Sequence, residues 1–262
     1  MRLILLQPVL SAPDDAGNKA AILRLLGGPL PGPGGQPSLR PSADDLLLLP
    51  EHFIFTDDPG AYDAFVAEAA ALAGCTVVGG SHHRKVNGRK INYGAVVRPD
   101  GTKIAEYSKL RPYFNEQGHV GPGDSFGEFS AGGKNVLVLV CADFWYSDLV
   151  LRAKAAPDII LVPALSVSRK PDPYYSRALW RHLAVARAYE FGAYVGISDW
   201  DDASSLPKYR TSGVAGLADP VTTVPGKFFT SVDAGGATVF DLDFPAIGAF
   251  REDRRMRGFF WK

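Results

Sequence analysis

Cysteine is nearly absent from this chain: two in 262 residues, too few for a disulfide framework. Net charge is absent too. The 28 basic and 28 acidic side chains cancel, and nucleic-acid binding needs a basic surface to displace counterions. The same balance removes any bulk attraction to an anionic membrane. No apolar stretch reaches the length of a membrane span. The first run, residues 3–6, is broken by Gln7 and Pro8 and is too short for a secretion-signal core. There is no Gly-x-Ser-x-Gly elbow, which excludes the usual serine α/β-hydrolase. No Gly-x-Gly-x-x-Gly turn opens a helix, so no nucleotide cradle and no cofactor are expected. These absences leave a reduced, cytoplasmic, soluble enzyme or binding protein with neither nucleic-acid nor membrane partners.

What is present is a core-forming chain, 46% hydrophobic, of a length that suits one large domain. Short apolar runs predict strands at 3–6, 46–49, 76–79, 93–97, 103–107, 136–140, 159–162, 193–198, 212–217 and 238–242. Helices are expected at 18–26, 61–73 and 177–191. The runs at 46–49 and 136–140 are continuously apolar, the mark of strands covered on both faces. Pro99-Asp100-Gly101 marks a hairpin. Alternating strands and helices with hairpins give an α/β protein with a mixed sheet, read as a single domain over 1–262. Residues 27–41 hold five Gly and five Pro, so no regular element is expected there. That loop leads into the strand at 46–49 and should lie at its amino end, as a peripheral or intersubunit insertion.

Three reactive side chains sit at similar places. Glu51 follows the run 46–49, Lys109 follows the strand at 103–107, and Cys141 follows the run 136–140. Ligands of layered α/β sheets gather at the carboxyl ends of strands. A thiol, a carboxylate and an ammonium converging there would make a nucleophilic site, with the thiolate attacking, the carboxylate moving protons and the ammonium holding an oxyanion. Taken singly, each has a plainer account. A cysteine ending a buried strand is usually a small hydrophobe, a glutamate there a solvated terminus, and a lysine a surface group.

The motifs around these residues resemble the carbon–nitrogen hydrolase (nitrilase-like) superfamily, over nearly the whole chain. Leu49-Pro50-Glu51 matches its strand ending in Pro-Glu, and Tyr107-Ser108-Lys109-Leu110 the segment around its lysine. Phe114-Asn115-Glu116 matches the region of a second glutamate. Pro122-Gly123-Asp124, Phe126 and Gly133 lead, as in the family, to Cys141-Ala142-Asp143. Trp180, Ala186-Arg187-Ala188-Tyr189-Glu190 and Ala193-Tyr194-Val195 follow its Trp…Ala-Arg-Ala-x-Glu…Ala-Tyr pattern. Ser212-Gly213 and Asp219-Pro220 match its late Ser…Asp-Pro stretch.

The resemblance implies a four-layer α-β-β-α sandwich of two mixed sheets, and a homodimer or higher homo-oligomer paired through outer helices. It implies Cys141 as nucleophile, Glu51 as general base, Lys109 as oxyanion partner, Glu116 as auxiliary carboxylate and the Ala142 N–H as a second oxyanion donor. The implied reaction is hydrolysis of a non-peptide C–N bond through a thioester, needing no metal. Trp145 stands where the family often has Arg, and Arg111-Pro112 where it usually has His. Asp143, where nitrile-processing members tend to have Glu, points to a small amide or N-carbamoyl substrate. Acyl transfer, nitrile hydrolysis and a catalytically silent scaffold remain as alternatives. Tyr113, Phe114, Trp145, Tyr146 and Trp200 either line the pocket or fill the core or an interface, where aromatics are equally at home. His82-His83 could hold a metal, but adjacent residues at a strand exit point to opposite faces, which favours an exposed turn pair. Residues 251–257 read as a solvated or intersubunit mixed-charge segment.

Overall fold

The computed structural model describes residues 1–262 except Pro37 and Asn115. Asn115, part of the motif around the second glutamate, therefore lies outside the described residues. The chain runs β1 (Arg2–Leu6), α1 (Asp15–Leu26), β2 (Leu46–Leu48), α2 (Pro59–Ala73), β3 (Thr76–Val78), β4 (His82–Val86), β5 (Arg89–Val97) and β6 (Lys103–Ser108). It continues through β7 (Gly127–Ala131), β8 (Lys134–Val138), α3 (Ser147–Leu151), β9 (Ile159–Pro163), β10 (Val167–Ser168), α4 (Tyr174–Phe191) and β11 (Tyr194–Ser198). The last elements are β12 (Arg210–Thr211), β13 (Gly216–Ala218), β14 (Phe229–Ser231), β15 (Ala237–Asp241) and α5 (Phe244–Met256).

Two mixed sheets form the centre. One has the order β15-β1-β2-β3-β5-β4 with β6 also paired to β5, and the other β14-β13-β11-β9-β8-β7. Strands β1, β2 and β3 are mutually parallel, as are β8, β9 and β11. The apolar runs dictate this layering, because successive side chains of a strand face opposite ways. Leu3, Leu5, Leu46 and Leu48 pack between the sheets with Val136 and Leu161. Ile4, Leu6, Leu47 and Leu49 face the other way, onto Ile22 and Leu26 of α1 and Tyr62, Phe65 and Val66 of α2. Trp180, Ala184, Ala188 and Phe191 of α4 cover the far side of the second sheet. The molecule is the expected four-layer α-β-β-α sandwich.

Polar atoms join the two sheets. Ser198 Oγ donates to the Leu48 carbonyl at 2.8 Å and accepts the Leu6 N–H at 2.9 Å. Gly196 allows the close approach, since a Cβ there would lie 2.6 Å from Leu3. Gly80 is needed for a different reason. It turns the chain after β3 at φ 61°, and a Cβ would meet the Pro50 carbonyl oxygen at 2.1 Å, beside Glu51. Gly80→Ala is expected to lower stability by at least about 1–3 kcal/mol from backbone strain alone, read as the denaturant midpoint. A wild-type midpoint would contradict the placement.

Several sequence expectations are corrected. Residues 251–257 are only partly solvated: most lie in α5, with Glu252, Arg255, Met256 and Arg257 exposed but Arg251 and Arg254 buried. Arg251 donates to the Gly192 and Pro157 carbonyls and to Asp158, and Arg254 to the Tyr189 carbonyl. The Gly/Pro-rich loop, expected to lack regular structure, forms a 3-10 turn at Pro33–Gly35 and an antiparallel bridge between Leu30 and Leu39. That bridge seats Leu30 in the core. Strands β4, β7 and β14 carry too little apolar alternation to be read from sequence. No helix among the described residues is long and apolar enough to cross a membrane.

Candidate active site

The carboxyl ends of β2, β8 and β9, with the loop after β6, converge on one point. Glu51 lies just beyond β2, Lys109 directly after β6, and Cys141 just beyond β8. Cys141 opens a 3-10 turn, Cys141–Trp145, at φ 47°. A non-glycine residue held there costs about 1–3 kcal/mol and persists only when its surroundings fix it. The turn is tied to the lysine loop by Asp143, whose carboxylate accepts the N–H groups of Leu110 and Arg111 at 2.9 and 2.8 Å. Burial pushes the Asp143 carboxyl up to about 6, against the pull of those two donors.

Glu51, Lys109 and Glu116 form a buried charge cluster. The Lys109 ammonium, 2% exposed, lies 2.9 Å from Glu51 Oε1 and 2.7 Å from Glu116 Oε2. Burial opposes the lysine's charge, but the Glu51 and Glu116 carboxylates outweigh it and hold its pKa above the ordinary value. Burial likewise opposes ionisation of Glu51, and Lys109 followed by His52 reverses that, so its carboxyl stays below the usual range. Glu116 is depressed as well: hydrogen bonds from His52 and His83, then Lys109, overcome its burial. The thiol behaves oppositely. Burial and the Glu51 carboxylate, which the Sγ–H group contacts, raise Cys141 well above a normal thiol. A thiol raised in this way beside a carboxylate held low is an arrangement able to pass a proton from Sγ to Glu51.

The positioning partners were not legible in the sequence. Asn92, fully buried in β5, donates its side-chain N–H groups to Glu51 Oε1 at 2.8 Å and Glu116 Oε1 at 2.9 Å. The Leu165 N–H meets Glu51 Oε2 at 3.1 Å, and Trp200 Nε1–H meets the Glu51 carbonyl at 2.8 Å. Trp200 is thus a core support, not a pocket wall. The only signal for Asn92 is a polar residue beside a strand's apolar run. Asn92→Leu is expected to lower stability by about 1.5–3 kcal/mol, the range for hydrogen bonds to charged groups. Without those donors the carboxylates are easier to protonate, so the acid limb of kcat/KM should move to higher pH. An unchanged profile would contradict Asn92's part.

A cavity of about 390 Å³ opens over Cys141 and is lined by Tyr113, Ala142, Trp145, Tyr146, Ser176 and Trp180, among others. Three of the five aromatics expected at the pocket, Tyr113, Trp145 and Tyr146, are therefore together, with Ala142 beside them. Phe114 is not with them. It lines a neighbouring groove of about 660 Å³ with Arg169, Lys170, Lys208 and Arg210, the Arg169 guanidinium lying 4.2 Å from its ring centre. The two spaces are lined by consecutive residues, Tyr113 and Phe114 on one side, Val167 and Ser168 on the other.

The histidines require a correction. His82 and His83 are in β4, not an exposed turn, although they do face opposite ways. His82 is buried, stacks on Tyr62 at 4.1 Å between ring centres, and is pushed down to about 3 by burial and then Arg84. His83 points to the site, with Nε2 3.2 Å from Glu116 Oε1. His52, at φ 56°, places Nε2 3.6 Å from both Glu51 Oε1 and Glu116 Oε1. His52, His83 and Glu116 are the donors in this region able to hold a metal ion.

A four-layer sandwich with reactive groups beneath an aromatic-lined cavity is the architecture of a hydrolytic enzyme. Residues 39–199 match the profile of the carbon–nitrogen hydrolase family, and the chain belongs to that family. It is 26% identical over 212 residues to omega-amidase NIT2 of Xenopus tropicalis, covering 76% of this chain and 72% of the relative. Among solved structures it resembles Nit3 of Saccharomyces cerevisiae, a member of branch 10 of the nitrilase superfamily. The TM-score is 0.75 at 20% identity, over 97% of this chain and 93% of that one. An amidase mutant of Nesterenkonia sp. AN1, with acrylamide added to its active-site cysteine, matches at TM-score 0.66 and 20% identity, over 98% and 99%. The fold is that of the nitrilase superfamily.

Proposed function

We propose that the protein is an amidase that hydrolyses a small amide or N-carbamoyl compound through a thioester on Cys141. The observation that carries this is the placement of Cys141 in the wall of the cavity, beside a buried Glu51 whose carboxylate lies 2.9 Å from the Lys109 ammonium. Glu51 takes the thiol proton as Sγ bonds to the substrate carbonyl carbon. The oxyanion is held by the Lys109 ammonium and the Ala142 N–H. The C–N bond breaks as Glu51 returns the proton to the leaving amine. Water then enters, gives a proton to Glu51 and attacks the thioester, and collapse restores the thiol and releases the acid. Glu116 holds the ammonium in place from its other side. The omega-amidase name of the X. tropicalis relative supports an amide substrate.

The cavity volume suits a small molecule, and Tyr113, Trp145, Tyr146 and Trp180 suit an apolar body. The adjoining groove adds Arg169, Lys170, Lys208 and Arg210, which favour a carboxylate at the end remote from the amide. Ammonia release from a panel of amides, carbamoyl compounds and nitriles tests this. Amides bearing a remote carboxylate should exceed neutral ones of equal length by about tenfold in kcat/KM, less at high salt. Turnover of nitriles alone, or of nothing in the panel, would contradict the proposal. We further propose a cytoplasmic homodimer. Two free cysteines fit a reducing compartment, and α4 exposes Tyr174, Tyr175, Leu179 and Tyr189 as apolar surface for a second copy.

A further inference from the structure

We propose that His52, His83 and Glu116 form a binding site for a first-row transition-metal dication, zinc foremost, and that its occupancy switches the Cys141 site off. The second half rests on the amidase reading above; the first does not. The three donor atoms lie within 4.8 Å of one another, and Glu116 Oε1 is 3.2 Å from His83 Nε2 and 3.6 Å from His52 Nε2. A tetrahedral zinc with bonds of about 2.0–2.1 Å has donor-to-donor edges of about 3.3–3.4 Å, so the two carboxylate-to-imidazole edges already stand close to ligating separations. Two imidazoles and one carboxylate select transition metals over magnesium or calcium.

The carboxylate is oriented for the purpose. Its Oε2 is held by the Lys109 ammonium and by the Tyr113 N–H at 2.8 Å, leaving Oε1 to face the imidazoles. Anchoring of this kind on the far side is typical of metal-ligating carboxylates. The two imidazole rings meet edge to face at 4.4 Å. His52 and His83 are 15% and 21% exposed, which gives an ion a way in.

Charge favours the same conclusion. Among the described residues, the buried carboxylates of Glu51 and Glu116 share one ammonium, Lys109, and otherwise face the His52 and His83 imidazoles; with both imidazoles neutral, one negative charge stays uncompensated where such charge is costly. A dication meets that deficit. Each imidazole would ligate through Nε2 with its proton on Nδ1, and a water would complete the shell. The metal would take the Oε1 lone pair that now accepts from Asn92. It would also set positive charge beside Glu51, making that carboxylate a poorer base for the Cys141 proton.

The test is zinc titration by calorimetry of the metal-stripped full-length Cys141→Ser protein. The expected result is one zinc per chain, weakened at least about 100-fold in His83→Ala and in His52→Ala, beyond the 10–100-fold cost of losing an outer-sphere partner. His83→Gln, with circular dichroism, guards against a variant that fails to fold. No binding by the Cys141→Ser protein, or binding indifferent to both histidines, would overturn the site. The switch is read on wild type as the rate of Cys141 alkylation by iodoacetamide, which requires no substrate. Zinc should slow it at least about tenfold, and slow it less than about twofold in His83→Ala. Cobalt added in place of zinc should show no thiolate charge-transfer band. Such a band, or alkylation unchanged at saturating zinc, would overturn the switch. Binding without amide turnover would count against the amidase reading and leave the metal site standing.

Discussion

Cys141→Ala is expected to abolish amide turnover, by about 10⁴–10⁶ in kcat, the scale of losing a nucleophile that acts in one unit with its base. The fold should survive. Cys141 is 7% exposed in a cavity wall, so trading the thiol for hydrogen loses one sulfur's contacts, a long hydrogen bond to the Leu165 carbonyl and the contact with the Glu51 carboxylate. Glu51 keeps the Lys109 ammonium, the Asn92 side chain and the Leu165 N–H as partners, so the substitution should not leave a new unpaired charge. Ammonia release and a thermal melt, run together, separate the two effects. Activity within tenfold of wild type would remove Cys141 from the mechanism. A collapsed melting temperature would show that its role is packing.

Lys109→Met should do both kinds of damage. The shape is nearly conserved, but Glu51 and Glu116 lose their shared ammonium in a buried setting. Removing one partner of a buried ion pair costs about 3–5 kcal/mol, and losing an oxyanion donor lowers turnover by about 10²–10³. The pH dependence has a definite sign. Both carboxylates are depressed in the fold, so their contribution is present above the unfolded glutamate value of about 4.3 and fades as pH falls below it toward their folded values. Lys109 is raised, so its contribution persists across neutral pH and fades only in strong alkali. The stability gap between wild type and Lys109→Met should therefore be full at neutral pH and narrow below about pH 4. A gap that stays constant down to pH 3 would mean that the lysine is not compensating these carboxylates.

The sequence exposed the parts of this molecule that depend on local pattern. Strands covered on both faces announce themselves as continuous apolar runs, and 46–49 and 136–140 led directly to the neighbourhood of Glu51 and Cys141. Helix α5 was missed because Arg251 and Arg254 are buried through hydrogen bonds to distant carbonyls, which no 3.6-residue pattern records. Strand β4 was missed because its residues, His82-His83-Arg84-Lys85-Val86, lack apolar alternation. Asn92, His52 and His83 gain their meaning only from neighbours across the sheet: the His83–Asn92 register of β4 and β5 sets both beside Glu116. Phe114 follows Tyr113 in sequence but turns into the basic groove, because consecutive residues of an irregular loop need not share a wall.

Intact-protein and peptide mass spectrometry after quenching with acid, during turnover of an amide, tests the thioester directly. Glu51→Gln, unable to activate water for deacylation, should accumulate any acyl group that Cys141 acquires from an activated amide or ester. The expected result is the mass of that acyl group on the peptide carrying Cys141, absent in Cys141→Ala. Turnover by wild type with no acyl mass on Cys141 in either protein, or with the acyl group on another residue, would contradict the account.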